Sequence, residues 1–198
     1  MENIKTKLSD VANHWTAIGL AIAFLFTGNT NSLSGANALI TETTLQKDAN
    51  LTAKVEPVKM SAQLKKETLE RFSNTVYKPS DSLSGVELKK LLQSVGFEGK
   101  ALKTAWAIAM RESNGRPMAY NGNRNTGDSS YGIFQINMLG NLGIDRKEKF
   151  QLRSNVLLFD PVINAEITYY MTGGGQDWSS WKGLNASARE WLPKFPNN

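Results

Sequence analysis

An apolar stripe that ends in a carboxylate constrains this chain more than any other pattern in it. Counting back from Glu112, residues Ala109, Ile108, Ala105 and Ala101 fall on one face of a helix with 3.6 residues per turn. A strand alternates its faces every residue and cannot align those positions, so the spacing predicts a helix packed on a core. The segment Ala107-Ile-Ala-Met-Arg-Glu-Ser-Asn-Gly115 then leaves the helix, with Asn114-Gly115 and Pro117 as breakers. A carboxylate on an apolar face is drawn toward a low-dielectric setting, which favours its protonated form and suits it to giving up a proton. The plainer reading is a helix-terminal glutamate turned to solvent or paired with Arg111 or Arg116.

The surrounding pattern predicts a mainly helical domain. Ser84-Gly-Val-Glu87 has the spacing of a capping box, Leu88, Leu91, Leu92 and Val95 form an apolar face, and Gly96 closes the helix. A second helix is expected from about Glu98 to Ser113. Residues 116–131 are rich in Asn, Gly, Asp and Ser, which predicts turns and a short hairpin. Apolar periodicity resumes over Tyr131–Leu139. A further helix is expected to open at Asp160-Pro161, aspartate as cap and proline in the first turn, and to run to Gly173-Gly-Gly175.

Composition removes several chemistries. The chain has 198 residues, no cysteine and one histidine, His14, which lies outside the helical region. Disulfides and thiolate metal sites are excluded, and a Ser-His-Asp, Cys-His or multi-histidine zinc mechanism has no residues to use. The net charge is +5, with most of the excess in residues 84–198. Such a surface attracts polyanions, acidic wall polymers and anionic lipid included, or simply solubilises the chain. No Arg-rich or aromatic-interleaved run favours nucleic acid, and nothing in the pattern specifies an oligomeric state.

The N-terminal part reads differently. Trp15-Thr-Ala-Ile-Gly-Leu-Ala-Ile-Ala-Phe-Leu-Phe26 is uncharged and, at about a dozen residues, shorter than the ~20 that span a bilayer as a helix. Together with a small-x-small site at Ala36-Asn37-Ala38 it fits a signal peptide over 1–38. A membrane-associated helix, and a buried or partner-docking segment, remain as alternatives. Residues 39–83 read as a polar tether, with a short surface helix over 61–73, and the compact domain as 84–198.

Glu112-Ser113 and the later run Asn123-Arg-Asn-Thr-Gly-Asp-Ser-Ser-Tyr-Gly-Ile-Phe-Gln-Ile-Asn137 carry a family resemblance. Over roughly residues 84–185 the chain resembles the lysozyme superfamily, including lytic transglycosylases and the lysozyme-like domains of phage virion proteins. Animal-type lysozymes follow a Glu-Ser with a polar loop and Tyr-Gly-Ile-(Phe/Leu)-Gln-Ile-Asn; transglycosylases follow it with Gly-Leu-Met-Gln. Asp160-Pro161, Asn164 and Tyr170 are similar to the family's Asp-Pro…Asn…Tyr helix. The transglycosylases' Ala-Tyr-Asn-Ala-Gly motif is absent.

The resemblance implies a mainly α, lysozyme-like α+β fold, with a small β or loop insert flanking a glycan cleft. It implies cleavage of peptidoglycan strands without a cofactor or metal, Glu112 acting as general acid. The position before Tyr131-Gly-Ile carries the animal-type catalytic aspartate but is Ser130 here; Asp128 stands two residues earlier, as a second carboxylate or as a turn residue. Without a second carboxylate, one glutamate serves as acid and then base while the muramyl 6-hydroxyl attacks, so hydrolysis and transglycosylation both stay open. Ser113, Tyr131, Gly132, Gln135, Asn137 and Tyr170 are implied at the substrate, with core packing the alternative for both tyrosines and helix termination the alternative for Ser113. Trp178 and Trp181 resemble an aromatic segment of the phage-type relatives and are expected in the core. A non-catalytic glycan-binding or virion structural module is the rival reading. The implied location is exported, in periplasm or wall, or virion-associated, with membrane anchoring through 15–26 the alternative.

Overall fold

The computed structural model describes residues 60–197. The apolar segment 15–26, the site at 36–38 and the tether up to residue 59 lie outside the described residues. Among those described, six α-helices follow one another: α1 (Ala62–Asn74), α2 (Gly85–Val95), α3 (Gly99–Ser113), α4 (Gly140–Lys149), α5 (Pro161–Met171) and α6 (Ala186–Arg189). Three two-residue strands, β1 (Tyr120–Asn121), β2 (Ser130–Tyr131) and β3 (Ile136–Asn137), form one antiparallel sheet between α3 and α4. The described residues thus adopt the expected mainly helical architecture with a small β insert.

Local chemistry explains most helix ends. The capping box of α2 is complete: the Ser84 hydroxyl accepts from the Glu87 N–H, and Glu87 Oε2 accepts from the Ser84 N–H at 2.9 Å. Its far end turns at Gly96, whose φ of 124° suits glycine. α3 ends at Asn114 in the left-handed region, φ 56° and ψ 37°. Asp160 caps α5, its Oδ1 accepting from the Val162 N–H at 2.8 Å with Pro161 in the first turn.

Two features differ from the sequence reading. Residues 61–74, placed in the tether, belong to the folded unit: α1 packs against α2 and α5, and Phe72 is only 2% exposed. The apolar face of α1 is narrow, which is why it reads as a surface helix, but one buried aromatic seats it. Helix α4 has no counterpart in the reading. It contains two glycines, lacks a side-chain cap and buries only Gly143. That glycine is needed, since a Cβ there would stand 2.0 Å from the Met138 carbonyl oxygen.

The core lies where α2, α3 and α5 meet the turn between β2 and β3. Leu88, Leu91, Leu92, Ile108, Ile133, Phe134 and Leu158 are fully buried. Trp178 stacks on Phe97 at 6.0 Å and lies 6.1 Å from Phe134, while the Trp181 indole N–H donates to the Phe134 carbonyl at 2.7 Å. The apolar run at 131–139 therefore folds as strand, turn and strand rather than helix. Its buried members, Ile133, Phe134, Ile136 and Met138, point into the core.

Candidate active site

Helix α3 delivers Glu112 to the wall of a cleft of about 570 Å³. The end of α3, the small sheet, α4 and the segment 180–185 form its sides. Glu112 keeps a quarter of its side chain exposed, so the apolar stripe carries it to the rim of the core rather than inside it. Arg111, at 13% exposure, holds it there. The Arg111 Nε donates to Glu112 Oε1 at 3.0 Å, and Nη2 donates to the same oxygen. Nη2 also donates to the Trp181 carbonyl at 2.8 Å, and Nη1 to the Gly183 carbonyl at 3.3 Å. A planar guanidinium held by three acceptors is a rigid, charge-assisted clamp. Glu112 Oε2 accepts no hydrogen bond among the described residues, which leaves it for a ligand. The plain reading, a glutamate paired with Arg111, and the functional one, a carboxylate in a cleft, are both satisfied by the same side chain.

Asp128 lines the same cleft from the loop before β2. Its Oδ1 accepts from the Ser130 hydroxyl at 3.0 Å and from the Asn137 amide at 3.5 Å, and its Oδ2 lies 3.5 Å from the Thr126 hydroxyl. Ser130, the residue in the aspartate position of animal-type lysozymes, is 4% exposed and bonds to Asp128. The loop thus uses its serine to steady the carboxylate two residues earlier.

Gln135 and Asn137 also line the cleft. Gln135 has a positive φ of 49°, and its amide N–H donates to the Gly132 and Ala119 carbonyls at 2.9 and 3.0 Å. Its amide oxygen accepts nothing among the described residues, leaving it for a ligand. Asn137 is engaged on both sides: its amide donates to the Gly127 carbonyl, and its oxygen accepts from the Leu139 N–H. It shapes the cleft more than it offers free groups.

The other expected site residues lie off the cleft. Ser113 is 3% exposed and donates to the Ile133 carbonyl at 2.8 Å, tying the end of α3 to the β2–β3 turn. Gly132 is packed against Asn164 and the Leu158 carbonyl. Tyr131 stacks between Tyr120 and Phe159, at 4.9 and 5.4 Å, with its hydroxyl near Ser129 and Asn155. Hydrogen bonds from Ser129 and then Asn155 hold that hydroxyl below the usual tyrosine range. Tyr170 is 62% exposed and packs edge-on against Phe150. These four support or surround the site because burial and direction, not motif position, decide what reaches a ligand. Trp181 does both, packing in the core and lining the cleft.

Sequence reasoning missed Arg111 as a clamp, and it missed Arg146 and Lys182 entirely; all three line the cleft. Arg146 comes from α4, the helix without a sequence signature. Only the positive excess of residues 84–198 hinted at such cations. Among the described residues no group of three His, Cys, Asp or Glu gathers to hold a metal ion.

Comparison with known families agrees with this geometry. The family model described as a lysozyme-like domain matches residues 89–183. Those residues form a lysozyme-like domain. The matched span opens within α2 and closes at Gly183, so it contains Glu112, the sheet, α4 and α5, while α1 and α6 fall outside it. Lysozyme-like domains make up a family of peptidoglycan-acting glycosidases. No curated protein and no solved structure matches the chain significantly.

Proposed function

We propose that this protein cleaves the MurNAc–GlcNAc β-1,4 bond of peptidoglycan strands, with Glu112 as the general acid. The observation that carries this reading is Glu112 at the rim of a glycan-sized cleft, one oxygen clamped by Arg111 and the other left for a ligand. Glu112 gives its proton to the glycosidic oxygen as the bond to the muramyl C1 breaks, and the oxocarbenium-like centre left at C1 needs a nucleophile. In hydrolysis that nucleophile is water, and a carboxylate takes its proton. Asp128, in the same cleft, favours this route and supplies a second carboxylate. No cofactor enters either step.

A second reading is lytic transglycosylation. There the muramyl C6 hydroxyl attacks C1, its proton returns to Glu112, and a 1,6-anhydro ring closes without external water. Ser130 favours it, since the position that carries the animal-type aspartate offers no carboxylate, and Asp128 is bonded within its own loop.

Glu112→Gln is expected to abolish release of soluble fragments from purified walls while leaving the unfolding midpoint near that of the wild type. Full activity in that variant rejects the assignment. Mass spectrometry of the digest separates the two routes, reducing ends for hydrolysis and anhydro-muramyl ends for transglycosylation. The activity also requires the domain to reach the wall, as an exported, membrane-anchored or virion-borne protein. Sequencing the mature N-terminus tests the first of these, cleavage after Ala38 being the expected result.

A further inference from the structure

The charges of the cleft do not balance. Arg111, Arg146 and Lys182 face Glu112 and Asp128, and Arg111 is already satisfied by Glu112 and two carbonyls. Arg146 is half-buried on α4, and burial is what lowers its basicity. Among the described residues the only hydrogen bond of its guanidinium is from Nη1 to the Asn137 carbonyl, and no carboxylate of those residues lies within ion-pair distance. Lys182, exposed on the opposite segment, has no partner among the described residues either. A guanidinium taken partly out of water without an anion is unfavourable, and its remaining donors stay open. One unpaired surface lysine would mean nothing; a half-buried unpaired arginine in the same cleft is a group awaiting its counter-charge.

We propose that Arg146 and Lys182 form an anion-recognition rim that binds a carboxylate of the glycan strand, so that the cleft selects acidic strands over neutral ones. This rests on the reading of the cleft as a peptidoglycan site. The planar five-donor fork of arginine matches a carboxylate in two parallel hydrogen bonds, and lysine adds a mobile point charge. A muramic acid strand carries carboxylates from two sources. The lactyl group is free where the peptide has been removed, and the peptide has its own acids where it is present.

The test uses the full chain in a Glu112→Gln background, so that bound strands are not consumed. Its ligands are purified walls freed of phosphate-bearing polymers, the same walls stripped of peptide by an amidase, and both after conversion of carboxylates to amides with a carbodiimide and ammonia. Binding is expected to weaken roughly tenfold on amide conversion, the size of one charge-assisted hydrogen bond. Loss in the peptide-bearing arm alone assigns the rim to peptide acids, and loss in the stripped arm assigns it to the lactyl group. Arg146→Gln and Lys182→Gln should each bring the ratio of untreated to amidated binding toward one. Lys182 is on the surface, so that variant reports on recognition even if loss of Arg146 disturbs α4. Equal binding to untreated and amidated walls overturns the proposal, as does a ratio kept in both variants. Binding that depends on the phosphate polymers instead also overturns it. Cleavage of both untreated and amidated walls by the wild type, with no preference, would leave the glycosidase reading intact and reject only the rim.

Discussion

The side-chain amide of Asn164 occupies the space that a side chain on Gly132 would need. A Cβ on Gly132 would stand 2.3 Å from Asn164 Nδ2 and 2.2 Å from the Leu158 carbonyl oxygen, and the glycine itself has a φ of 74°. Asn164, wholly buried on α5, donates through Nδ2 to the Tyr131 and Leu158 carbonyls, both at 2.9 Å, and accepts from the Phe134 N–H at 3.0 Å. One asparagine thus satisfies polar backbone groups on both sides of the turn. The turn in question carries Gln135 to the cleft, and Ser113 ties its other side to the helix that carries Glu112.

Asn164→Ala should therefore destabilise the fold by about 3–5 kcal/mol, since three buried backbone groups lose partners and a void opens. Gly132→Ala should cost about 3 kcal/mol or more, combining a clash with backbone and a positive φ. Denaturant unfolding measures both. A loss below 1 kcal/mol in either variant would show that the turn can relax around its neighbour.

The parts of this architecture that were legible are those written in short-range chemistry. Ser84 with Glu87, Gly96, Asn114 and Asp160-Pro161 each act within a few residues, and each helix end falls where they put it. The three-stranded insert was foreshadowed by turn residues alone. Helix α4 left no such trace, because Gly143 answers to a contact with Met138 and the cap makes no side-chain bond; Arg146 was hidden with it. Tyr131, Ser113 and Tyr170 sit in or near recognisable motifs, yet their directions depend on Phe159, Ile133 and Phe150, partners about 20 to 28 residues away in sequence. Residues 61–74 read as tether because a single buried phenylalanine, not a periodic face, attaches them.

The capping box of α2 offers a second measurable quantity. Ser84→Ala should lower stability by about 1 kcal/mol. Hydrogen bonds from the Ser84 backbone and hydroxyl hold Glu87 below the usual glutamate range. A carboxylate with a lowered folded-state pKa contributes stability that is present above its unfolded value and is lost as pH falls through the folded one. Wild type and Ser84→Ala should therefore differ most near neutral pH and converge in acid. A difference in melting temperature that stays constant from pH 7 to pH 3 would contradict the coupling.

Glu166 on α5 titrates in the opposite sense. Burial, with a smaller contribution from the Asp160 carboxylate, raises it from 4.5 to about 7. Between those values the folded protein holds a proton that the unfolded chain has released, so stability from this group is complete below pH 4.5 and is lost as pH rises through 7. Glu166→Gln removes that loss. The variant should gain on the wild type between pH 5 and pH 8, by roughly 3 kcal/mol at the upper end. Parallel stability curves across that range would mean that Glu166 is solvated in the folded protein.

Arg111 gives the sharpest test of the site itself. It reaches Glu112 from the adjacent position in sequence, and its guanidinium is steadied by the Trp181 and Gly183 carbonyls. Arg111→Met keeps most of the side-chain volume and removes every donor, freeing the Glu112 carboxylate to swing away from the position the proposed general-acid role requires. A misplacement on the order of 1 Å costs up to about 100-fold in rate, so kcat should fall roughly 10- to 100-fold. KM should change much less, because Gln135 on the facing wall of the cleft keeps its free amide oxygen. Arg111→Lys restores the charge without the planar fork and should recover only part of the loss. If kcat is unchanged in Arg111→Met, the clamp is a structural tie to the 181–183 segment and Glu112 finds its position without it.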